Sequence, residues 1–478
     1  MTDNRPRRPS RPQGSRPPRK RGGPSRPPAE DPARLAALQA LRAVRERDAY
    51  ANLVLPGLLE QHRLSGRDAG LATELTYGTC RARGLLDAVI AECSSRELDG
   101  IDPELLDGLR LGAYQLLRTR VPAHAALSAT VDLVRGQCGS RQSSFANAVL
   151  RRVSELDEQQ WIERIAPDRG SDPVGHLALR YAHPKWIARA FADALGSTGE
   201  ELQAALAADD ARPAVHLTAR PGEIGADELA AITGGDEAPY SPYGVHLEAG
   251  GGDPGDVEPV QEGFAFVQDE GSQLVALALT GPELDQPEQR WLDLCAGPGG
   301  KAALLGSLAT LDGIALDAVE TAEHRAELVR KSTEGLSVTV RVADGREPGL
   351  EPGYDRVLVD APCTGLGALR RRPEARWRRQ PSDVAELAKL QRQLLLSAIG
   401  LTRPGGVVAY VVCSPHLPET EGVVNDVVRR SPVEQLDARP HFPGVPDLGE
   451  GPSVQLWPHK HGTDAMFCAL LEVQERSR

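Results

Sequence analysis

The sequence predicts a multidomain α+β chain: an all-α N-terminal domain, a small mixed α/β subdomain, and a C-terminal α/β domain built on a parallel sheet. Three observations lead there. Apolar residues recur at helical spacing from about residue 31 to residue 160, with no strand-like alternation. Beyond Phe264, strand-like and helical stretches alternate, as in a parallel sheet covered on both faces. The length of 478 residues also exceeds what one core holds, since single cores seldom grow past about 250–300 residues.

Residues 1–29 carry nine Arg or Lys against Asp3, with eight prolines and no Leu, Ile, Val or Phe. Such a segment buries too little apolar surface to offset the entropy of ordering, which predicts a disordered basic tail. It reads either as a polyelectrolyte arm for RNA phosphates or as a solubilising tail. The chain's formal charge is −12, so the rest of it sits at −20.

Residues 31–164 form the predicted all-α domain. Leu86, Val89, Ile90 and Cys93 make one helical stripe; Leu106, Leu109, Ala113 and Leu116 make another. Asp102-Pro103-Glu104 reads as an N-cap, a first-position proline and a first-turn acid. A polar linker at 167–173 precedes the mixed subdomain at 174–262, with helices expected at 184–195 and 200–207 and strands at 215–219 and 245–247. The run Gly250, Gly251, Gly252, Pro254 and Gly255 is a loop on composition. In the last domain, 263–474, strands are expected at 291–294, 314–319, 338–342, 356–359 and 407–412.

No apolar run approaches the roughly 18 residues of a membrane span, and no signal-peptide pattern opens the chain, so a soluble cytoplasmic protein is expected. The seven cysteines are an odd number with no CxxC pair, which argues for free thiols and against a metal site. Aromatics are only 4 % of residues, so few rings are available for stacking on bases.

The chemistry-bearing motifs fall at expected strand ends, where parallel sheets bind ligands. Asp293-Leu294-Cys295-Ala296-Gly297-Pro298-Gly299-Gly300-Lys301 leaves a strand and opens a helix, a turn that lets a ligand approach the backbone and free N–H groups. It lacks the spacing of an NTPase phosphate loop. Glu320 or Asp317 ends the next strand, where a carboxylate can accept ribose hydroxyls; Glu320, directly before a helix, is preferred. Asp344 ends the strand after that, within reach of an adenine amino group. Asp360-Ala361-Pro362-Cys363-Thr364-Gly365 and Val412-Cys413-Ser414-Pro415 place two thiols at strand ends. Cytosine C5 is a poor nucleophile until a thiolate adds at C6, so C5 methylation needs a thiol, an acid and a base together. After Cys363 comes a basic run, Arg370, Arg371, Arg372, Arg376, Arg378 and Arg379 around Trp377, expected to contact RNA phosphates with Trp377 stacking or packing nearby.

The stretches "LATELTYGTCRARGLLDAVI", "LRLGAYQLLRTRVPAHAALSATVDLV" and "FANAVLRRV" resemble the NusB-like RNA-binding domain. The pairing of "DAPCTG" with "VCSPHLPETEG" resembles the Nol/Nop/Sun family of RNA cytosine-C5 methyltransferases, in its NusB-fused bacterial branch, over nearly all of the chain after residue 31. That resemblance implies a Rossmann-like class I methyltransferase domain and S-adenosylmethionine held by Cys295 to Lys301 with Glu320, Asp344 and Asp360. It implies Cys413 as nucleophile, Cys363 as an aid to product release, and Asp360 and Lys301 beside the ring. It further implies a monomer acting on 16S ribosomal RNA, with His461 to Asp464 shaping the site. Two other readings stand beside it: a DNA cytosine-C5 methyltransferase using Cys363, which leaves Cys413 idle, and a non-catalytic NusB-like RNA-binding protein, against which the intact thiols and acids argue.

Overall fold

In the computed structural model the structure describes residue 1, residues 31–247 and residues 254–475. The basic segment, apart from Met1, and the glycine run 250–252 lie outside the described residues.

Seven helices form the N-terminal bundle: α1 (Pro32–Arg47), α2 (Ala51–Gln61), α3 (Gly66–Cys93), α4 (Pro103–Arg118), α5 (Ala123–Cys138), α6 (Ser140–Val153) and α7 (Glu158–Ile165). Their starts are written locally. Asp102 accepts from the Glu104 and Leu105 N–H groups ahead of α4, and Asp157 and Gln160 close a capping box on α7. Both expected stripes face inward: Leu86, Val89, Ile90 and Cys93 meet Leu106, Leu109 and Ala113 in one core, with Leu116 packed at its edge.

Three helices follow, α8 (Pro173–Arg180), α9 (Lys185–Leu195) and α10 (Glu200–Asp210), and then β1 (Val215–Ala219), α11 (Ala226–Thr233), β2 (Asp236–Glu237), β3 (Gly244–Leu247), α12 (Glu258–Gln261) and β4 (Ala265–Val267). The four strands make an antiparallel sheet in the order β2-β3-β1-β4. Because β4 pairs with β1, the small sheet runs past the boundary expected at 262.

The large sheet is fed by α13 (Glu270–Thr280), β5 (Arg290–Asp293), α14 (Gly300–Leu311), β6 (Ala315–Glu320), α15 (Glu323–Ser332), β7 (Val338–Val342), β8 (Tyr354–Asp360), α16 (Asp383–Leu401), β9 (Thr402–Val412), α17 (Glu421–Val428), β10 (Val433–Leu436), β11 (Val454–Gln455), α18 (Pro458–His461) and β12 (Phe467–Val473). Its order is β10-β12-β9-β8-β5-β6-β7, with β11 paired to β12. Strands β5 to β9 are parallel, as expected, but β12 runs antiparallel to β9, and β10 and β11 each pair antiparallel with β12, so the sheet is mixed at that edge. Apolar cores cover both faces, one holding Leu274, Leu304 and Leu305, the other Leu394, Leu395 and Val424. The carboxyl ends of β5, β6, β8 and β9 therefore open side by side.

Candidate active site

A cavity of about 1010 Å³ lies over those strand ends, walled on its far side by the helical bundle through Val44, Tyr50, Cys80 and Arg83. Cys295, Gly297, Pro298, Glu320, Asp344, Asp360, Cys363 and Cys413 all line it. Ala296 is buried beneath the turn, and Gly299 and Gly300 serve the turn itself. Gly299 holds φ +118 where a Cβ would stand 2.0 Å from Ser332 Oγ, so both its conformation and its packing against α15 require glycine.

Glu320 and Asp317 part company here. Glu320 accepts from the Gly297 N–H (3.1 Å) and the Ala322 N–H, and a Cβ on Gly297 would come within 2.3 Å of its Oε2. Asp317 points elsewhere, to the Tyr354 hydroxyl and Arg341. Asp344 is half exposed, and hydrogen bonds from the Arg346 side chain and backbone hold its carboxyl down to about 2.

Lys301, in the first turn of α14, reaches Asp360 Oδ2 at 2.8 Å. Burial pulls its ammonium down, but Asp360 and then Cys413 outweigh that and raise it, so it stays charged beside the thiols. Asp293, fully buried under the same group, is pushed up to about 7 by burial and by the Asp360 charge. The two strand-end sulfurs, 50 residues apart in sequence, stand 3.4 Å apart. A hydrogen bond with Cys413 and burial hold the Cys363 thiol well up, so Cys363 is a protonated neighbour to Cys413. Burial likewise keeps Cys295 a thiol.

One residue that sequence reasoning passed over organises the pair. Glu419 is fully buried and accepts from Thr364 N (2.8 Å), Thr364 Oγ1, Ser414 Oγ (2.8 Å) and Gln391 Nε2 (3.1 Å). Thr364 follows one cysteine and Ser414 the other, so a single carboxylate clasps both thiol loops. Its only sequence signal is that it lies within the "HLPETEG" tail of the second motif. Gly367 adds a backbone tie, its N–H donating to the Cys413 carbonyl, at a place where a Cβ would collide with the Ala465 carbonyl.

The basic run requires a correction. Arg370 and Arg371 both pair with Asp269 and Asp464, at 2.6–3.1 Å. Arg376 is fully buried, bonded to Asp209, to Asp210 and to the carbonyls of Arg81, Tyr181 and Ala182. Trp377 packs on Gly84 of α3, where a Cβ would stand 2.2 Å from its ring, and donates to the Cys80 carbonyl. The charges of Arg370, Arg371 and Arg376 are spent on internal carboxylates and are not offered to phosphates. Arg376 and Trp377 tie this segment to the helices of the preceding domains, Trp377 packing as one of its two expected roles while still lining the cavity. Of the six arginines in the run, Arg372, which is exposed, and Arg379, which is half-buried, have no carboxylate in ion-pair range among the described residues, and Arg378 stands 3.8 Å from Asp48. Asp464, expected to shape the site, is part of the same buried network.

Residues 283–472 match the family described as 16S rRNA methyltransferase RsmB/F, and residues 31–155 match the NusB family. The chain is 62 % identical to the "Putative methyltransferase Rv1407" of Mycobacterium tuberculosis over 95 % of this chain and 99 % of that one. It is 32 % identical to the ribosomal RNA small subunit methyltransferase B of Salmonella arizonae, over 92 % and 98 % of the two chains. Among solved structures, PH0851 superposes with a TM-score of 0.77 at 22 % identity, covering 93 % of this chain and 99 % of its own. NSun6 from Pyrococcus horikoshii, solved with SFG, gives 0.51 at 19 % identity, over 60 % and 98 %. No helix among the described residues is long and apolar enough to cross a membrane. With a NusB region ahead of the methyltransferase domain and full-length relatives of that name, the chain belongs to the ribosomal RNA small subunit methyltransferase B family.

Proposed function

We propose that this protein methylates C5 of a cytosine in RNA, 16S ribosomal RNA being the substrate named for its relatives, with S-adenosylmethionine as methyl donor and Cys413 as covalent nucleophile. The observation that carries the reading is the pair of sulfurs 3.4 Å apart beside the Lys301–Asp360 ion pair, in one cavity with the strand-end acids.

The residues present fit the donor. Gly297 leaves room for the Glu320 carboxylate, which a Cβ there would strike, and Glu320 and Asp344, both lining the cavity, would supply acceptors for ribose hydroxyls and an adenine amino group. S-adenosylmethionine, when bound, supplies an electrophilic methyl group. On the protein side, Cys413 adds through Sγ to C6, and the C5–C6 electron pair becomes the nucleophile at C5. Lys301, ion-paired with Asp360 at 2.8 Å, would offset the negative charge that addition pushes toward N3 and O2. Once C5 carries the methyl group, a base from solvent takes the C5 proton, the C5–H electron pair re-forms the C5–C6 double bond, and the C6–S pair returns to Cys413 Sγ. Cys363, a thiol 3.4 Å from that sulfur, would assist by donating a hydrogen bond to it as it departs.

The test is a trap with RNA bearing 5-fluorocytosine, whose C5 fluorine cannot be abstracted as a proton. Wild type should form a denaturation-resistant adduct that Cys413→Ala abolishes, while Cys363→Ala accumulates adduct on ordinary RNA. An adduct lost in Cys363→Ala and kept in Cys413→Ala reverses the roles. Bisulfite sequencing of 16S ribosomal RNA from a strain lacking the gene should show one cytosine losing its protection; unchanged protection throughout would remove 16S ribosomal RNA as the substrate.

A further inference from the structure

The cavity is larger than its chemistry requires. Its lining runs from Cys295, Asp360 and Cys413 at the strand ends to Val44, Tyr50 and Arg83 of the bundle, and 1010 Å³ matches the upper end of pockets that enclose whole drug-sized ligands. The groups at the wall of the helical bundle are of a particular kind. Tyr50, at the start of α2, is 37 % exposed, with the Arg372 guanidinium carbon 5.4 Å and that of Arg378 5.2 Å from its ring centre. Arg379 lines the cavity and donates through Nε to the carbonyl of Thr364, next to Cys363.

Charge accounting singles out two of these arginines. Arg325 and Arg346 are paired with Glu320 and Asp344, Arg110 with Asp87 and Asp107, and Arg378 stands 3.8 Å from Asp48. Arg372 and Arg379 line the same cavity with no carboxylate in ion-pair range among the described residues. In a chain that sits at −20 outside its first 29 residues, two unneutralised guanidinium groups flanking the thiol loop mark a place where anionic charge is supplied from outside. The Tyr50 ring, over which Arg372 and Arg378 sit, offers a flat face to a base once Arg372 turns to a phosphate.

Building on the reading above, we propose that the wall between the NusB-like bundle and the thiol loop is a subsite for the nucleotide adjacent to the target cytosine, with its base on the Tyr50 ring and its flanking phosphates on Arg372 and Arg379. A single RNA strand fits this best, because it presents phosphates and unstacked bases together, and stacking on a ring accepts any base. The bundle thus contributes to the substrate site directly, in addition to being fastened to it.

The test uses the full chain and unmodified 16S ribosomal RNA transcript, with steady-state and single-turnover methyl transfer measured separately. Stacking of one base is worth about 1–3 kcal/mol, or roughly 5- to 150-fold, so Tyr50→Ala should raise KM for RNA by that range. The single-turnover rate at saturating RNA and the affinity for S-adenosylmethionine should stay within about twofold of wild type. Tyr50→Trp should restore KM, because it keeps a flat face and removes the hydroxyl. Arg372→Ala and Arg379→Ala should each lower the slope of log KM against log salt by a fraction of a unit to one unit, as for one lost phosphate contact. A wild-type KM in Tyr50→Ala, or an unchanged salt slope in both arginine variants, overturns the subsite while leaving the chemistry standing. Filter binding of the same transcript separates the opposite case: if wild type transfers no methyl group yet Tyr50→Ala weakens binding as expected, the chemistry falls and the subsite remains.

Discussion

Substituting Glu419 tests whether one buried carboxylate holds the two thiol loops in register. In Glu419→Ala the Thr364 N–H and a Gln391 Nε2 hydrogen lose their carboxylate acceptor, whereas the Thr364 and Ser414 hydroxyls, already 3.2 Å apart, can bond each other. Each stranded buried donor costs about 1–3 kcal/mol, and the emptied volume adds to that, so the loss should be on the order of 3–6 kcal/mol. Glu419→Gln keeps one oxygen for the two N–H donors and turns the other position into a donor that the rotatable hydroxyls can accept from. It loses only charge assistance, about 1–3 kcal/mol in all. Urea unfolding followed by circular dichroism reads the stability. Single-turnover methyl transfer, at a temperature where both variants remain folded, reads the catalytic part. The Ala variant should lose at least about 100-fold in transfer, because thiols displaced by an ångström lose their attack geometry, while its affinity for S-adenosylmethionine stays within about twofold, since Glu419 touches none of the cofactor acids. An Ala variant within about 1 kcal/mol and threefold of wild type would refute the clasp.

Four further outcomes follow from the same structure. Cys413→Ala should lose both methylation and adduct, whereas Cys363→Ala should accumulate adduct, read as a slow band on a denaturing gel. Arg376→Ala should cost about 3–5 kcal/mol in thermal unfolding, because it leaves the buried Asp209 carboxylate without its cation; an unchanged transition would show that the domains are held elsewhere. Asp293 is raised to about 7 in the folded protein from an ordinary value of 3.8, so between those values the native state holds a proton that the unfolded chain lacks. Stability is therefore lost as pH rises from about 4 to 7. Asp293→Asn should gain on the order of 2–4 kcal/mol at pH 8 and almost nothing at pH 4, and a gain independent of pH in urea titrations would remove this account. Deleting residues 1–29 should weaken RNA binding mainly at low salt if that arm meets phosphates, and an unchanged salt slope would leave it without a binding role.

The chemistry was legible in sequence where it depends on what lies at the end of a strand. Lys301, Asp360, Cys363 and Cys413 each sit in a short motif beside an apolar run, and parallel strands bring such ends together whatever lies between. The small pieces were not legible: β2, β10 and β11 have two to four residues each, too few for alternation to show. Glu419 was hidden for a different reason. A glutamate beside a proline reads as a solvated loop residue, and only the packing of α16 and the two thiol loops around it turns its carboxylate inward.

The basic run failed for the most instructive reason. Counted along the chain, Arg370 to Arg379 is a block of positive charge with few acids nearby, but Coulomb attraction acts through space, and the acids that neutralise it lie 93 to 167 residues away. Burying an arginine costs too much unless a carboxylate meets it, so Asp209, Asp269 and Asp464 are needed wherever Arg376, Arg370 and Arg371 go inside. A cluster of one sign in an oppositely charged chain is therefore as strong a signal for an internal domain junction as for a nucleic-acid surface. What separates the two is whether any member is left unpaired. Here Arg372 and Arg379 are, and both face the thiols' cavity.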